Sequence, residues 1–190
     1  MQSLARLVSS NWQLLEDAFE LGARILDSAY QPDLLIGVWR GGSPVAIAIH
    51  ELLTYHGLNP DHIPVRTRFY SGIDQREDEV EITGLDYVRI RPGEFRRLLL
   101  VDDVFDSGAT MAALVAALEE IYHTAGLIQP DIRIVTPWYK PVRNTSVLEP
   151  DYYLHVTDDW LVFPHELCGL DRAEIHTAKP GVEKIRKRFR

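Results

Sequence analysis

The stretch Leu98-Leu99-Leu100-Val101-Asp102-Asp103-Val104-Phe105-Asp106-Ser107-Gly108-Ala109-Thr110 constrains the fold most, because an apolar run stops on two acids and then turns through small hydroxyl and Gly residues. Leu98 to Val101 reads as a strand buried on both faces. From Thr110 to Tyr122 apolar residues recur at helical spacing (Met111, Leu114, Val115, Leu118, Ile121), so the acids lie at a strand-to-helix crossing. In an open α/β sheet that is where ligands sit. Ser107 to Thr110 supplies successive backbone N–H groups, two hydroxyls and a Gly without a Cβ, a cradle for a phosphate at a helix N-terminus. A phosphate beside Asp102, Asp103 and Asp106 points to a phosphorylated sugar with a cation. For any one of these acids a solvated turn or, for Asp106, a helix N-cap is the plain alternative; the whole set at this spacing argues against it.

A chain of 190 residues with no linker-like stretch is expected to form one domain, 1–190, with a sizeable core. The net charge of −8 argues against general nucleic-acid binding, so local donors and Mg²⁺ must hold an anionic ligand. The lone Cys168 excludes an internal disulfide framework, fits a reducing compartment and reads as an inert small hydrophobe. Charged or helix-breaking residues interrupt every apolar run short of about 18 residues, so neither a membrane nor a signal segment is expected and the location expected is cytoplasmic.

Ser9-Ser10-Asn11 offers N-caps for a first helix whose apolar face is Trp12, Leu15, Phe19, Gly22, Ile25, Leu26 and Ala29. Leu34 to Val38 is a buried strand, followed by Trp39-Arg40-Gly41-Gly42-Ser43-Pro44 and an apolar helix from Val45 to Tyr55, with Ser43 as N-cap and Pro44 at its first position. That loop has the layout of a second anion site, in which Gly41 and Gly42 allow close backbone approach and Arg40 supplies a fork of donors. A tight turn with a solvated Arg is the alternative. Pro64 to Phe69 and Glu79 to Thr83 read as strands flanking the polar run Ser71 to Asp78, which is either a hairpin tip or a loop that closes over substrate.

The Val101 to Thr110 signature and the Arg40-Gly41-Gly42 loop together resemble the type I phosphoribosyltransferases. The resemblance implies that Asp102 and Asp103 contact the ribose hydroxyls of 5-phosphoribosyl-1-pyrophosphate and its Mg²⁺, and that Ser107, Gly108, Ala109 and Thr110 hold the 5-phosphate. Arg40 and Gly41 would meet the pyrophosphate, and Asp106 would take the proton of the attacking base. Both acids can face one sugar only if the strand bends there, since adjacent strand residues point to opposite faces.

Ile132 to Trp138 reads as the next strand, leading into Tyr139-Lys140-Pro141. The run Asp158-Asp159-Trp160-Leu161-Val162-Phe163-Pro164-His165-Glu166 follows further on. This combination looks like the xanthine-guanine and hypoxanthine branch, which acts on 6-oxopurines. It implies that Lys140 donates to the purine O6, that Trp160 stacks on the ring and that the main chain near Leu161 meets the base edge. Read singly, Lys140 fits a surface charge and Trp160 a core aromatic. Glu166 stands where that branch usually has Asp as a metal or base contact.

The implied fold is α/β, a mainly parallel central sheet flanked by helices, with a core of about residues 30–140 and a small hood of about 141–170, alone or with the first helix. The implied reaction transfers phosphoribosyl to a purine nitrogen with release of pyrophosphate. Its partners are small-molecule substrates, not nucleic acid or membrane, in a homodimer or homotetramer. The alternatives are a transferase for another base, such as adenine, orotate or uracil, and a phosphoribosyl-pyrophosphate-sensing regulator of the same fold. His50, His56, His62, His123, His155, His165 and His176 show no metal-ligand spacing, and the basic end Lys184 to Arg190 reads as a solvated helix.

Overall fold

The computed structural model describes residues 6–8, 11–70, 79–168, 170–179, 182, 184, 185 and 188. The proposed closing loop Ser71 to Asp78, the capping residues Ser9 and Ser10, and most of the basic end lie outside them. The elements in order are β1 (Arg6–Val8), α1 (Asn11–Asp27), β2 (Leu34–Trp39), α2 (Gly42–Tyr55), β3 (Asp61–Tyr70), β4 (Glu79–Thr83), α3 (Asp86–Ile90) and β5 (Arg97–Val101). They continue with β6 (Val104–Phe105), α4 (Ala109–Thr124), β7 (Asp131–Val135), β8 (Trp138–Tyr139), β9 (His155–Val156), β10 (Trp160–Val162) and α5 (Arg172–Ala178). The chain forms two compact units, Leu15–Asp158 and a smaller one drawn from residues 1–14 and 159–190.

In the larger unit a five-stranded sheet has the order β4-β3-β2-β5-β7. All pairs are parallel except β3 with β4. The fold is the expected mainly parallel α/β sheet. Its centre is apolar because β2 and β5 are covered on both faces: Leu34, Leu35 and Ile36 and Leu98 to Val101 are all buried. Each such Leu removed from water contributes about 1.5–3 kcal/mol before ordering costs. Met111, Leu114, Leu118, Ile121 and Tyr122 of α4 join the same core, as the helical spacing anticipates.

From β2 the chain crosses to β3 on one side, and from β5 it crosses to β7 on the other, so the strand order reverses between β2 and β5. The register sets Gly37 level with Val101 and Val101 level with Val135. The loops after β2 and β5 therefore emerge side by side at the carboxyl edge, at the switch point where open α/β sheets bind ligands. A three-stranded parallel sheet, β6-β8-β9, continues beyond this edge.

Several local expectations differ from the structure. Of the expected α1 face Gly22 and Ile25 are buried, together with Leu14, Ala18 and Leu21, while Trp12, Leu15 and Phe19 are exposed. Both stripes satisfy a helical period, and the larger side chains do not mark the inner one. Helix α2 begins earlier than expected, at Gly42, with Gly41 as its N-cap and no side-chain cap; Ser43 lies inside the first turn with its Oγ buried and unbonded. The strand expected over 132–138 is two, β7 and β8, because Pro137 has no N–H to donate and the Thr136 hydroxyl donates to the Trp138 carbonyl at 2.9 Å. Cys168 is exposed rather than packed as a small hydrophobe.

In the smaller unit β1 and β10 pair in parallel, Arg6 with Trp160 and Val8 with Val162. Helix α5 opens with a capping box in which Asp171 and Glu174 each accept the other's backbone N–H at 2.8 Å.

Candidate active site

The acid pair sits where the backbone leaves β5. The strand ends at Val101, so Asp102 and Asp103 are past the regular alternation and need not point to opposite faces. Asp103 is buried, and its N–H donates to Asp102 Oδ1 at 2.9 Å. Burial, reinforced by the adjacent Asp103 carboxylate, holds the Asp102 carboxyl well above the usual carboxylate range, against the pull of the Asp103 and Gly42 N–H groups.

The loop after β2 is fitted to these acids. A Cβ on Gly41 would fall on the Asp103 carboxylate, and one on Gly42 would fall on the Val101 carbonyl oxygen and the Asp102 Cα. Here glycine is needed for close approach. Trp39 and Arg40 are exposed, and the peptide bond between them is cis.

At the other end of the signature, Gly108 is the N-cap of α4 in the left-handed region, φ +79°. Its position turns the chain so that the first N–H groups of α4, which have no acceptor within the helix, lie beside Ser107. The Ser107 Oγ accepts from the Ala109 N–H at 3.4 Å. The four residues Ser107 to Thr110 thus form a strand-to-helix turn suited to an anion.

Strand register unites two predicted site residues. β6 pairs with β8 as Val104 with Trp138 and Phe105 with Tyr139, and the Lys140 N–H donates to the Phe105 carbonyl at 2.9 Å. The next residues, Asp106 and Lys140, therefore lie together, with Lys140 Nζ 3.2 Å from Asp106 Oδ2. Lys140 is only 3% exposed, which excludes its reading as a surface charge. A buried ammonium needs a partner, and Asp106 supplies it. Arg143, which the sequence reading passed over, places Nε 2.7 Å from Asp106 Oδ1, an ion pair without hydrogen-bond alignment. Its offset of three from Lys140 in a Pro-containing turn was the available signal.

Trp160, Leu161 and Glu166 belong to the smaller unit. Trp160 is 51% exposed, so it is not a core aromatic, whereas Leu161 is buried. The Glu166 Oε2 accepts the Phe163 N–H at 3.0 Å, closing the turn after β10. Lys179, buried in a segment without a readable motif, donates from Nζ to the Phe163 carbonyl, and burial pushes its pKa down.

The donor set fits Mg²⁺ in part. Asp102 and Asp103 offer hard oxygen ligands, and their like charges in a buried setting favour a bridging cation. No cluster of three or more His, Cys, Asp or Glu suited to a metal occurs among the described residues. Mg²⁺ commonly uses one or two carboxylates together with water and substrate phosphates, which this pair can satisfy.

The phosphoribosyl transferase domain pattern matches residues 10–171. The hypoxanthine-guanine phosphoribosyltransferase of Bacillus subtilis is 30% identical over 182 residues, covering 94% of this chain and 92% of the relative. That of Lactococcus lactis is 27% identical over 186 residues, covering 95% and 91%. The crystal structure of a purine phosphoribosyltransferase from Pyrococcus horikoshii superposes with a TM-score of 0.65 at 25% identity, over 87% of this chain and 96% of that one. With the acid pair, the two glycine-fitted loops and the helix-capping cradle at one sheet edge, these matches show that the chain belongs to the phosphoribosyltransferase family and is a glycosyltransferase enzyme of the type I fold.

Proposed function

We propose that the protein transfers the 5-phosphoribosyl group from 5-phosphoribosyl-1-pyrophosphate to a 6-oxopurine, hypoxanthine, guanine or xanthine, giving a nucleoside monophosphate and pyrophosphate. The observation that carries this reading is the Lys140–Asp106 pair, in which the turn after β8 holds a donor against a base on the loop that also bears the acid pair and the phosphate cradle. The names of the curated relatives agree with it.

In this reading Ser107 to Thr110 bind the 5-phosphate, Asp102 and Asp103 bind the ribose hydroxyls and Mg²⁺, and Arg40 and Gly41 receive the pyrophosphate. Mg²⁺ held by Asp102 and Asp103 would supply positive charge against the negative charge that grows on the leaving pyrophosphate. A ring nitrogen of the base forms a bond to the anomeric carbon while the carbon–oxygen bond to pyrophosphate breaks, and its electron pair leaves with pyrophosphate. The nitrogen's proton passes to Asp106. Donation from Lys140 to the purine O6 takes one cation off Asp106 Oδ2, which becomes available to that proton. Trp160 stacks on the base, the main chain at Leu161 meets its edge, and Glu166 serves its own turn rather than the metal.

We assign residues 1–190 to one phosphoribosyltransferase domain with a core of about 30–140 and a hood of about 141–170, acting in the cytoplasm as a homodimer or homotetramer. No described helix is long and apolar enough to cross a membrane. Steady-state assay of hypoxanthine, guanine, xanthine, adenine, orotate and uracil with phosphoribosyl pyrophosphate and Mg²⁺ tests the substrate. Turnover of a 6-oxopurine alone supports the reading; turnover of another base, or binding without turnover, overturns it.

A further inference from the structure

The turn after β8, residues 140–148, touches the signature at two adjacent residues, Asp106 and Ser107. Lys140 and Arg143 pair with Asp106, and Thr145 reaches Ser107: the Ser107 carbonyl accepts from the Thr145 N–H at 3.1 Å and from its Oγ1 at 3.3 Å. The Ser107–Gly108 peptide is trans and planar, so its N–H points opposite to its carbonyl. Two donors holding the carbonyl on the Thr145 side therefore aim the Gly108 N–H away from Thr145.

The turn that presents Thr145 is bonded to itself. Asn144 Oδ1 accepts from the Ser146 N–H at 2.9 Å and from its hydroxyl at 2.8 Å, and Asn144 Nδ2 donates to the Leu148 carbonyl at 2.8 Å and to the Tyr139 hydroxyl at 3.2 Å. Ser146 Oγ and Asn144 Oδ1 occupy the space where a Cβ on Gly108 would be. The turn and the glycine fit each other, so the Ser107–Gly108 peptide cannot rotate without displacing a satisfied network.

We propose that Thr145 is a positioning residue for the phosphate cradle: by holding the Ser107 carbonyl it directs the Gly108 N–H at the 5-phosphate of the substrate. The inference rests on the cradle's assignment to that phosphate. An N–H aimed at a dianion in advance gives a charge-assisted hydrogen bond without the cost of reorienting the peptide. Thr145 touches no substrate atom itself, and its effect is confined to the phosphate end.

The test is calorimetric binding of ribose 5-phosphate and of pyrophosphate to the full chain and its Thr145 variants. Thr145→Val loses one of the two bonds and should weaken ribose 5-phosphate several-fold; Thr145→Pro loses both and should weaken it about tenfold or more. Pyrophosphate affinity should stay within about twofold in all variants, and Thr145→Ser, which keeps both donors, should bind ribose 5-phosphate as the wild type does. If Thr145→Pro does not fold, the comparison of Val with Ser decides. Equal ribose 5-phosphate affinity in the Val and Ser variants, or a parallel loss of pyrophosphate, overturns the role of Thr145. A wild-type chain that binds no ribose 5-phosphate overturns the cradle assignment and, with it, the inference.

Discussion

Lys140 Nζ lies 3.2 Å from Asp106 Oδ2, and the contact joins a residue read as a base-recognition donor to one read as the proton acceptor. On the proposed roles, their work would be linked. A purine that drew the ammonium to its carbonyl would uncover the carboxylate that its own proton needs, whereas a base that made no demand on Lys140 would leave Asp106 occupied. The linkage predicts that Asp106→Asn binds phosphoribosyl pyrophosphate with near-normal affinity while kcat falls by about two to four orders of magnitude, the range for a lost general base. Rapid-quench and steady-state kinetics beside calorimetry measure both; wild-type turnover in this variant would falsify the role.

The acid pair predicts a requirement for divalent cation. The substrate's phosphates are repelled by Asp102 and Asp103 unless a cation lies between. Calorimetry should show phosphoribosyl pyrophosphate binding that depends on Mg²⁺ and is lost in Asp102→Ala and in Asp103→Ala. Equal affinity in chelator and in Mg²⁺ would remove the assignment.

The same pair has a signature in stability. The folded Asp102 carboxyl keeps its proton to higher pH than the unfolded one, with burial the leading cause. Between about pH 4 and that raised value the folded state binds more protons, so the contribution of Asp102 to stability falls as pH rises through the window. In chelator, Tm of the wild type relative to Asp102→Asn should therefore decline from acid toward neutral pH, and Mg²⁺ should restore it. Two Tm profiles that run parallel across this range would contradict the shift.

Gly42→Ala tests the fit between the two loops. The added Cβ meets the Val101 carbonyl and the Asp102 Cα, backbone atoms that cannot swing aside. Overpacking of this kind costs about 1–3 kcal/mol. Denaturant unfolding should show that loss, together with weaker pyrophosphate binding, because Gly41 and Arg40 move with the displaced turn. An Ala variant with unchanged stability and pyrophosphate affinity would mean that the loops are not in contact.

Much of this site is legible in the sequence because its parts are local. The break from Val101 to Asp102 and the turn Ser107 to Thr110 are contiguous, and their strand and helix announce themselves by burial and period. The Lys140–Asp106 pair is not legible in that way. It depends on the register of β6 and β8, two-residue strands too short to carry a period. Thr145 is hidden for a related reason, since its partner is the Ser107 main-chain carbonyl and any residue type leaves a carbonyl there. In α1 the misreading has another source: Trp12 and Phe19 outweigh Ala18 in a hydrophobic tally, yet Ala18 is the residue inside.

Base choice is the last consequence. A Lys ammonium has three donors and no acceptor, so it favours a carbonyl oxygen on the six-membered ring over an amino group, which would set donors against donors. Guanine, hypoxanthine and xanthine carry that oxygen, and adenine does not. Lys140 is buried, so a base that fails to pair with it gains nothing from water in exchange, and such a site discriminates far more strongly than an apolar pocket does. Trp160 has half its surface open, and in the proposed role it would offer a face to any base, adding affinity without choice. Activity should therefore appear with at least one 6-oxopurine and be negligible with adenine or orotate. Lys140→Ala should erode the preference and lower the rate, since it also leaves Asp106 with Arg143 alone, whereas Trp160→Ala should raise KM for every base by a similar factor. A kcat/KM panel across the bases separates the two effects. If adenine is the best substrate, or if Lys140→Ala leaves ranking and rates unchanged, the 6-oxopurine assignment falls and only the phosphoribosyl site remains.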